Sequence, residues 1–432
     1  MFSSFLCSIV IRLRSIILIL FNLWLNFFVK RLTITSRIIK FLGQYVQLFL
    51  GILTGNHVSL VNVMDNDFKI GTTVDQLFRI KNQLEPDLYD VFHCYLSKIM
   101  YESPNAIIDQ CLNWGFKKTS IEIFQYSQIE DVTKYTYSTQ AAVIYHEESN
   151  RIIVAFRGTE PMDLFQWLTD ASTKFTTIAN RFHDDNAQIR VHEGFCAALG
   201  LITEFDPLKS IDFNRSMNGA PMFIQILNSI QNYQRNNKSC QITITGHSLG
   251  AGLASLFSYV LLQYNYESLI SGVYTYGQPL VGNRHFAMFL NKKLGNRFHR
   301  WVNHNDIVPR IPVIELPSIA WYYARTPYSD ALEAAGNENR IVGKYYFHAG
   351  LICRIDYQGN LVKQNFDDQE PKSALQDRLH LFDNKYSIRN AIYSLFNITL
   401  LRAISWLIVP TEINDHFPGD YARNIKKIVT SK

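Results

Sequence analysis

The 432-residue chain predicts an α/β fold, a central and mainly parallel sheet with flanking helices. Three observations carry this expectation. Short runs of β-branched and aromatic residues alternate along the chain with longer stretches whose apolar residues recur every three to four positions. Several of those runs break off into turns containing Gly, Asn or Asp, as the strands of a parallel sheet do where they deliver loops to one edge. One run, residues 241–245, passes within a few residues from a strand pattern into a helix pattern.

Taken in order, residues 86–101 repeat apolar side chains at helical spacing. Residues 141–145 and 151–156 read as two strands of a hairpin split by Glu147-Glu148-Ser149-Asn150, and the second runs straight into Arg157-Gly158-Thr159. Ile242, Thr243, Ile244 and Thr245 form a buried strand, and residues 249–264 form a helix rich in Leu, Ala and Ser. A strand at 272–276 breaks at Gly277-Gln278-Pro279, and another at 297–303 ends at His304-Asn305-Asp306. A further strand spans 351–355, just after His348. Internal repeats and low-complexity tracts are absent from the sequence.

Composition narrows the class. Apolar residues make up 47% of the chain and charged ones 18%, which describes a folded protein lean in charge. The net charge of +5 is concentrated at the start. Residues 1–64 hold Arg12, Arg14, Lys30, Arg31, Arg37 and Lys40 and no acid; without those six, 36 cations face 37 acids. That pattern speaks against a nucleic-acid-binding body and for a basic, apolar extension facing an anionic membrane. Residues 15–29 are uncharged between Arg14 and Lys30-Arg31, short of the roughly 20 residues that span hydrocarbon comfortably. A second apolar run, 41–53, is also short. Interfacial helices or a membrane-lying hairpin are favoured here over a spanning anchor, and a signal peptide is the third reading, though no small-residue cleavage site follows Val29. The expected division is therefore a membrane-associating helical extension, 1–55, and a folded domain, 56–432, that holds the candidate residues below. The six cysteines show no C-x-x-C pair, so a zinc site is not expected and reduced thiols are favoured.

Gly246-His247-Ser248-Leu249-Gly250, between that buried strand and its helix, is the G-x-S-x-G pattern of a nucleophile elbow, an α/β-hydrolase-like device. A strand that turns sharply into a helix strains the central serine and needs small neighbours two residues away. Gly246, Gly250, Ala251 and Gly252 supply them. A serine hydroxyl needs a base, the base needs an orienting carboxylate, and the developing oxyanion needs donors. The chain order Ser, Asp, His narrows the search. Asp306 follows a strand directly and is the best acid, with an Asx turn before Ile307-Val308-Pro309 as the plainer alternative. Beyond it lie His348, His380 and His416; His416, in a polar turn after an apolar helix, is favoured over His348. The Leu249 N–H and Thr159 are the candidate oxyanion donors.

Phe156-Arg157-Gly158-Thr159-Glu160, Val191-His192-Glu193-Gly194-Phe195, Gly246-His247-Ser248-Leu249-Gly250, Tyr276-Gly277-Gln278-Pro279 and the stretch from Asn305 through Asp306 to Pro312 together resemble the fungal-type (class 3) triacylglycerol lipases, and most of all their plant oil-body type. The resemblance covers 141–425. It implies Ser248 as nucleophile, Asp306 as orienter, His416 as base, Thr159 with Leu249 as oxyanion hole, and a supporting place for His348. It also implies a lid, so that Leu164, Phe165, Trp167 and Leu168 become candidate substrate-facing residues; an amphipathic helix packed on the core is the plainer alternative. Leu400, Leu401, Ile404, Leu407 and Ile408 follow helical spacing and suit an interfacial helix or a core one.

The expectation is a membrane- or lipid-droplet-associated serine lipase, cytosol-facing on droplet or endoplasmic reticulum, hydrolysing triacylglycerol at a lipid–water interface. It needs no metal or organic cofactor and has no nucleic-acid partner. A phospholipase A1 or galactolipase on the same machinery is the alternative, and a catalytically silent lipid-binding scaffold is a third.

Overall fold

A computed structural model of the chain describes residues 59, 61–62, 67–79, 87–128, 137–159, 175–178, 189–201, 220–235, 238–304, 306, 308–310, 346–356, 359–363 and 415–431. The expected extension 1–55, the candidate lid residues Leu164, Phe165, Trp167 and Leu168, and the expected helix over 400–408 lie outside them. Among the described residues no helix is long and apolar enough to cross a membrane.

Among the described residues there are ten strands: β1 (Ile121–Gln128), β2 (Tyr137–His146), β3 (Arg151–Phe156), β4 (Phe175–Thr177), β5 (Arg190–His192), β6 (Gln241–His247), β7 (Ile270–Tyr276), β8 (Phe298–Asn303), β9 (Leu351–Ile355) and β10 (Leu361–Lys363). Eight form one sheet in the order β1-β2-β3-β6-β7-β8-β9-β10. Its five middle strands, β3 to β9, pair in parallel, and an antiparallel strand or hairpin closes each end. The expected hairpin and the strands ending at Tyr276, Asn303 and Ile355 are all present. β1 is an addition whose Ile121 and Ile123 alternate as an edge strand requires.

The helices are α1 (Val74–Arg79), α2 (Leu88–Ile99), α3 (Pro104–Trp114), α4 (Glu193–Leu199), α5 (Met222–Gln234), α6 (Leu249–Gln263), α7 (Arg284–Leu294) and α8 (Pro418–Thr430). The middle strands follow one another across the sheet in chain order, so crossovers of one hand put their helices on one face. That face carries α4 to α7, packed on Ile152, Val154, Phe156, Ile242 and Ile244. The opposite face, with Ile153 and Ala155, is left to helices from the two ends of the chain, α1 to α3 and α8.

α2 is fixed to that second face by polar contacts. Burial pushes His93 down to about 4, so its ring is neutral. Its Nδ1–H donates to the Tyr89 carbonyl (2.7 Å), and its Nε2 accepts from the Thr243 hydroxyl of β6 (2.9 Å). Asp90 Oδ1 accepts from His299 Nδ1 (2.9 Å) and Trp301 Nε1 (2.7 Å) of β8. Burial alone would raise the Asp90 carboxyl, but the charge and hydrogen bond of His299 and the bond from Trp301 outweigh it and hold it below its ordinary value. Burial would likewise lower His299, and the Asp90 carboxylate raises it instead. α2 is thus locked across β6 to β8, which sets the position of Tyr101 two residues past its end.

Candidate active site

The middle strands end together. Phe156 of β3 pairs with Gly246 of β6, His247 with Tyr276 of β7, and Tyr276 with Trp301 of β8. The turns 157–159, 248–250 and 277–279 and Asp306 therefore converge at the carboxyl edge of the sheet, where α/β folds hold their chemistry.

Ser248 stands between β6 and α6 with φ 59° and ψ −129°, a left-handed backbone that a side-chain-bearing residue adopts only under strain. Its N–H donates to the Tyr276 carbonyl (2.9 Å), and its own carbonyl accepts from Ala251 N–H (2.9 Å), which starts the helix. The glycines are demanded by contact. A Cβ on Gly246 would overlap the Gly250 carbonyl, and one on Gly250 would overlap Phe156 O and lie 2.8 Å from Arg157 C. The elbow and the end of β3 are thereby pressed together. Ser248 Oγ is buried and without a hydrogen-bond partner.

Asp306, fully buried, uses both oxygens. Oδ1 accepts from Val308 N–H (2.9 Å), so the Asx turn is real. Oδ2 accepts from His416 Nδ1 (2.7 Å) and from the Tyr421 hydroxyl (2.6 Å). One carboxylate thus makes the Asx turn and holds the His416 ring. Burial, and next the charge of Asp306, keep Tyr421 well above its ordinary value, so it remains a donor. Since His416 Nδ1–H donates to the carboxylate, Nε2 carries the free lone pair of the neutral ring, and it too is buried without a partner. Gly277 makes room for the pair: it has φ +59°, and a Cβ there would lie 2.7 Å from His416 Cε1 and 2.8 Å from Asp306 Oδ2. Thr159, three residues past β3, presents a third buried and unpartnered atom, its hydroxyl. The first N–H groups of α6, beginning with Leu249, have no acceptor within the helix and lie at its positive end.

Residues 153–316, from β3 past Asp306, match the model of the family Lipase (class 3). The chain resembles the class 3 lipases. Triacylglycerol lipase OBL1 of Arabidopsis thaliana is 30% identical over 240 residues, which are 50% of this chain and 44% of that protein. The OBL1 lipase of Nicotiana tabacum is 25% identical over 405 residues, 79% of this chain and 66% of that one. Phospholipase A1-Igamma1, chloroplastic, of Arabidopsis thaliana is 27% identical over 240 residues, 54% and 43% of the two chains. The chain spans less than two thirds of each of these relatives. A Rhizomucor miehei lipase–propeptide complex aligns with TM-score 0.43 at 19% identity, covering 66% of this chain and 74% of its own.

Of the residues that carry the class 3 lipase resemblance, Ser248, Leu249, Asp306, His416 and Thr159 are described and gather at one sheet edge. His348 Nε2 donates to the Pro309 carbonyl (2.7 Å) in the turn that follows Asp306, a supporting place. The sequence reading passed over Tyr101, His247, Asn303 and Tyr421. Asn303 ties the loop that carries His416, donating from Nδ2 to the Asp415 carbonyl (2.9 Å) while its N–H donates to Tyr421 Oη (3.0 Å). The apolar spacing of Tyr421, Ile425 and Ile428 after Pro418 was the available signal for α8.

Far from this edge, His146, Asp75 and Glu148 approach one another within a ligand's reach. The Ser149 N–H donates to His146 Nδ1 (3.3 Å), which leaves the ring proton on Nε2, where it serves Asp75 Oδ1 (2.8 Å). That arrangement is a hydrogen-bonded corner, and a metal on Nε2 would require the opposite tautomer. A hollow of about 540 Å³ between the ends of α5 and α6, lined by Arg235, Lys238 and Tyr264 among others, contains none of the candidate residues.

Proposed function

We propose that this chain is a serine lipase that hydrolyses acyl esters of triacylglycerol through a covalent acyl-enzyme. One observation carries the reading: Ser248 Oγ, His416 Nε2 and Thr159 Oγ1 are all buried at one sheet edge and all lack a partner. Their chemical types and their convergence there, with His416 Nδ1 held by Asp306 Oδ2 (2.7 Å), suit a nucleophile, a base and an oxyanion donor.

In the proposed reaction Ser248 Oγ attacks the ester carbonyl as its proton passes to His416 Nε2. Asp306 Oδ2 holds the Nδ1–H and balances the imidazolium. The tetrahedral oxyanion is met by the Leu249 N–H and by Thr159. On collapse His416 returns the proton to the departing diacylglycerol oxygen; water then attacks the acyl-enzyme by the same path and releases the fatty acid. Serine and histidine are not hydrogen-bonded to one another without substrate, and in unliganded enzymes that link often closes only in the complex.

The deciding experiment compares fatty-acid release by the detergent-solubilised protein from emulsified triacylglycerol and from phosphatidylcholine vesicles, with Ser248→Ala as blank. Release from triacylglycerol that climbs above its solubility limit is expected. Release mainly from phospholipid would favour the phospholipase A1 reading, which the phospholipase relative makes the natural second choice. No Ser248-dependent release from either would leave a lipid-binding scaffold. Thr159→Val, which keeps the shape and N–H but removes the hydroxyl, is expected to lower kcat by about 10²–10³-fold with little change in KM. An unchanged kcat removes the hydroxyl from the oxyanion hole.

The division into an extension, 1–55, and a catalytic domain, 56–432, belongs to the same proposal, as does residence on a membrane or droplet surface. Its support is the acid-free, basic and apolar character of the first 64 residues. Deleting 1–55 is expected to move the protein from floating oil droplets to the aqueous fraction; unaltered flotation refutes an N-terminal anchor.

A further inference from the structure

One buried histidine at the site has no part in the reaction just written. His247, between Gly246 and Ser248, ends β6 and is 2% exposed. Its Nε2 lies 2.8 Å from the main-chain carbonyl of His416, and its Nδ1 lies 2.7 Å from Tyr101 Oη. A carbonyl can only accept, so Nε2 bears the proton; Nδ1 of the neutral ring then accepts from the Tyr101 hydroxyl. Burial, and next the neighbouring His416, hold this imidazole well below its ordinary value, so one neutral tautomer is selected. The two imidazoles lie side by side, ring centres 4.6 Å apart and planes tilted by 33°.

We propose that His247 is the positioning residue of the triad, setting the place of the base relative to the nucleophile by gripping the His416 main chain through Nε2–H. His416 follows Asp306 by 110 residues. Its side chain is held by Asp306, and the residue before it by Asn303 through Asp415; both of those holds run to β8 and the turn beyond it. Among the described residues the bond from His247 runs instead to the strand that ends beside Ser248, and His247 is that serine's immediate neighbour. Tyr101 extends the grip toward the oxyanion turn. A Cβ on Gly158 would overlap the Tyr101 hydroxyl and lie 2.5 Å from the His247 carbonyl, so this pair is wedged between Thr159's turn and the base. Neutrality matters as well. His416 becomes a cation when it takes the serine proton, and a second cation one ring away would oppose it.

This inference rests on the proposed Ser-His-Asp reading, and the experiment separates the two. Ser248-dependent ester hydrolysis by the wild-type full chain tests the reading itself; its absence ends that reading without touching the geometry. Given that activity, two variants divide donor from shape. His247→Phe keeps a ring and loses the donor; His247→Gln keeps an N–H in reach of the His416 carbonyl and loses the ring. His247→Phe is expected to lose about 10²-fold in kcat with KM nearly unchanged, as for a misplacement of about 1 Å, and His247→Gln to stay within about tenfold of wild type. Phe equal to or better than Gln overturns the proposal, because packing alone would then explain the residue. If the Phe variant does not fold, ¹⁵N spectra of histidine-labelled wild-type and Tyr101→Phe proteins decide. A single Nε2–H tautomer for His247 in the wild type that persists in Tyr101→Phe, with a lower kcat, supports the proposal. An Nδ1–H tautomer or a charged ring in the wild type at neutral pH overturns it.

Discussion

Ser248→Ala and His416→Ala should each lower kcat by about 10⁶-fold, and the double variant should be no slower than either single one. The non-additivity is the informative part. Nucleophile and base perform one step, so once either is gone the other has nothing to act on. What remains is the Leu249 and Thr159 oxyanion site, which still speeds hydrolysis by about 10³–10⁴ over water. His348→Ala is the contrast. Its Nε2 donates to the Pro309 carbonyl beside Asp306, so its loss leaves a buried acceptor unsatisfied and should cost about 1–3 kcal/mol of stability. Its kcat, measured per correctly folded molecule, should stay within a few-fold of wild type. Steady-state ester hydrolysis on the four proteins, with thermal unfolding of each, makes the comparison. If a folded His348→Ala were dead while His416→Ala turned over, the base would be misassigned.

Why was so much of this site legible in a string of letters? The elbow was legible because its constraints are local. Period-two alternation, then glycines at 246, 250 and 252, then small helical residues leave little else for that stretch to be, and the contacts at Gly246 and Gly250 give the reason. Asp306 was legible from its place after a strand, and the competing Asx-turn reading was also right, since one carboxylate does both. His416 followed from chain order. The remaining members were not legible because their signals are long-range. Tyr101 meets His247 across 146 residues, His247 meets the His416 carbonyl across 169, and Tyr421 reaches Asp306 across 115. Nothing in the neighbourhood of Tyr101, at the tail of an amphipathic helix, marks it as different from its core-filling neighbours. Gly277 sits in a conspicuous Tyr-Gly-Gln-Pro turn, but its need for a positive φ and an empty Cβ position emerges only once His416 and Asp306 are seen against it.

The distribution of donors around Asp306 leads to the second large effect. Asp306→Asn is expected to lower kcat by about 10⁴-fold while the protein folds and binds lipid as before. Among the described residues the carboxylate is approached by donors: His416 Nδ1–H and Tyr421 O–H on Oδ2, Val308 N–H on Oδ1. An asparagine must turn its NH₂ toward one side or the other. If it faces Val308, the carbonyl oxygen keeps His416 oriented, but a donor is forced against a backbone donor in a fully buried spot. If it faces His416, two donors there oppose it, and the imidazole relieves the conflict by moving its proton to Nε2. That tautomer has no lone pair left for the Ser248 proton. The Tyr421 hydroxyl can turn and accept, whereas the Val308 amide has no such freedom, so the second orientation prevails. A Tyr421→Phe background should therefore separate the effects. It removes one of the two donors on that side and leaves the tautomer conflict in place. Single-turnover acylation of Asp306→Asn with a soluble p-nitrophenyl ester, alone and with Tyr421→Phe, reads this directly: the acylation step should remain slowed by about 10⁴-fold in both, and an Asp306→Asn protein acylating within tenfold of wild type would show that the carboxylate does not set the tautomer of His416.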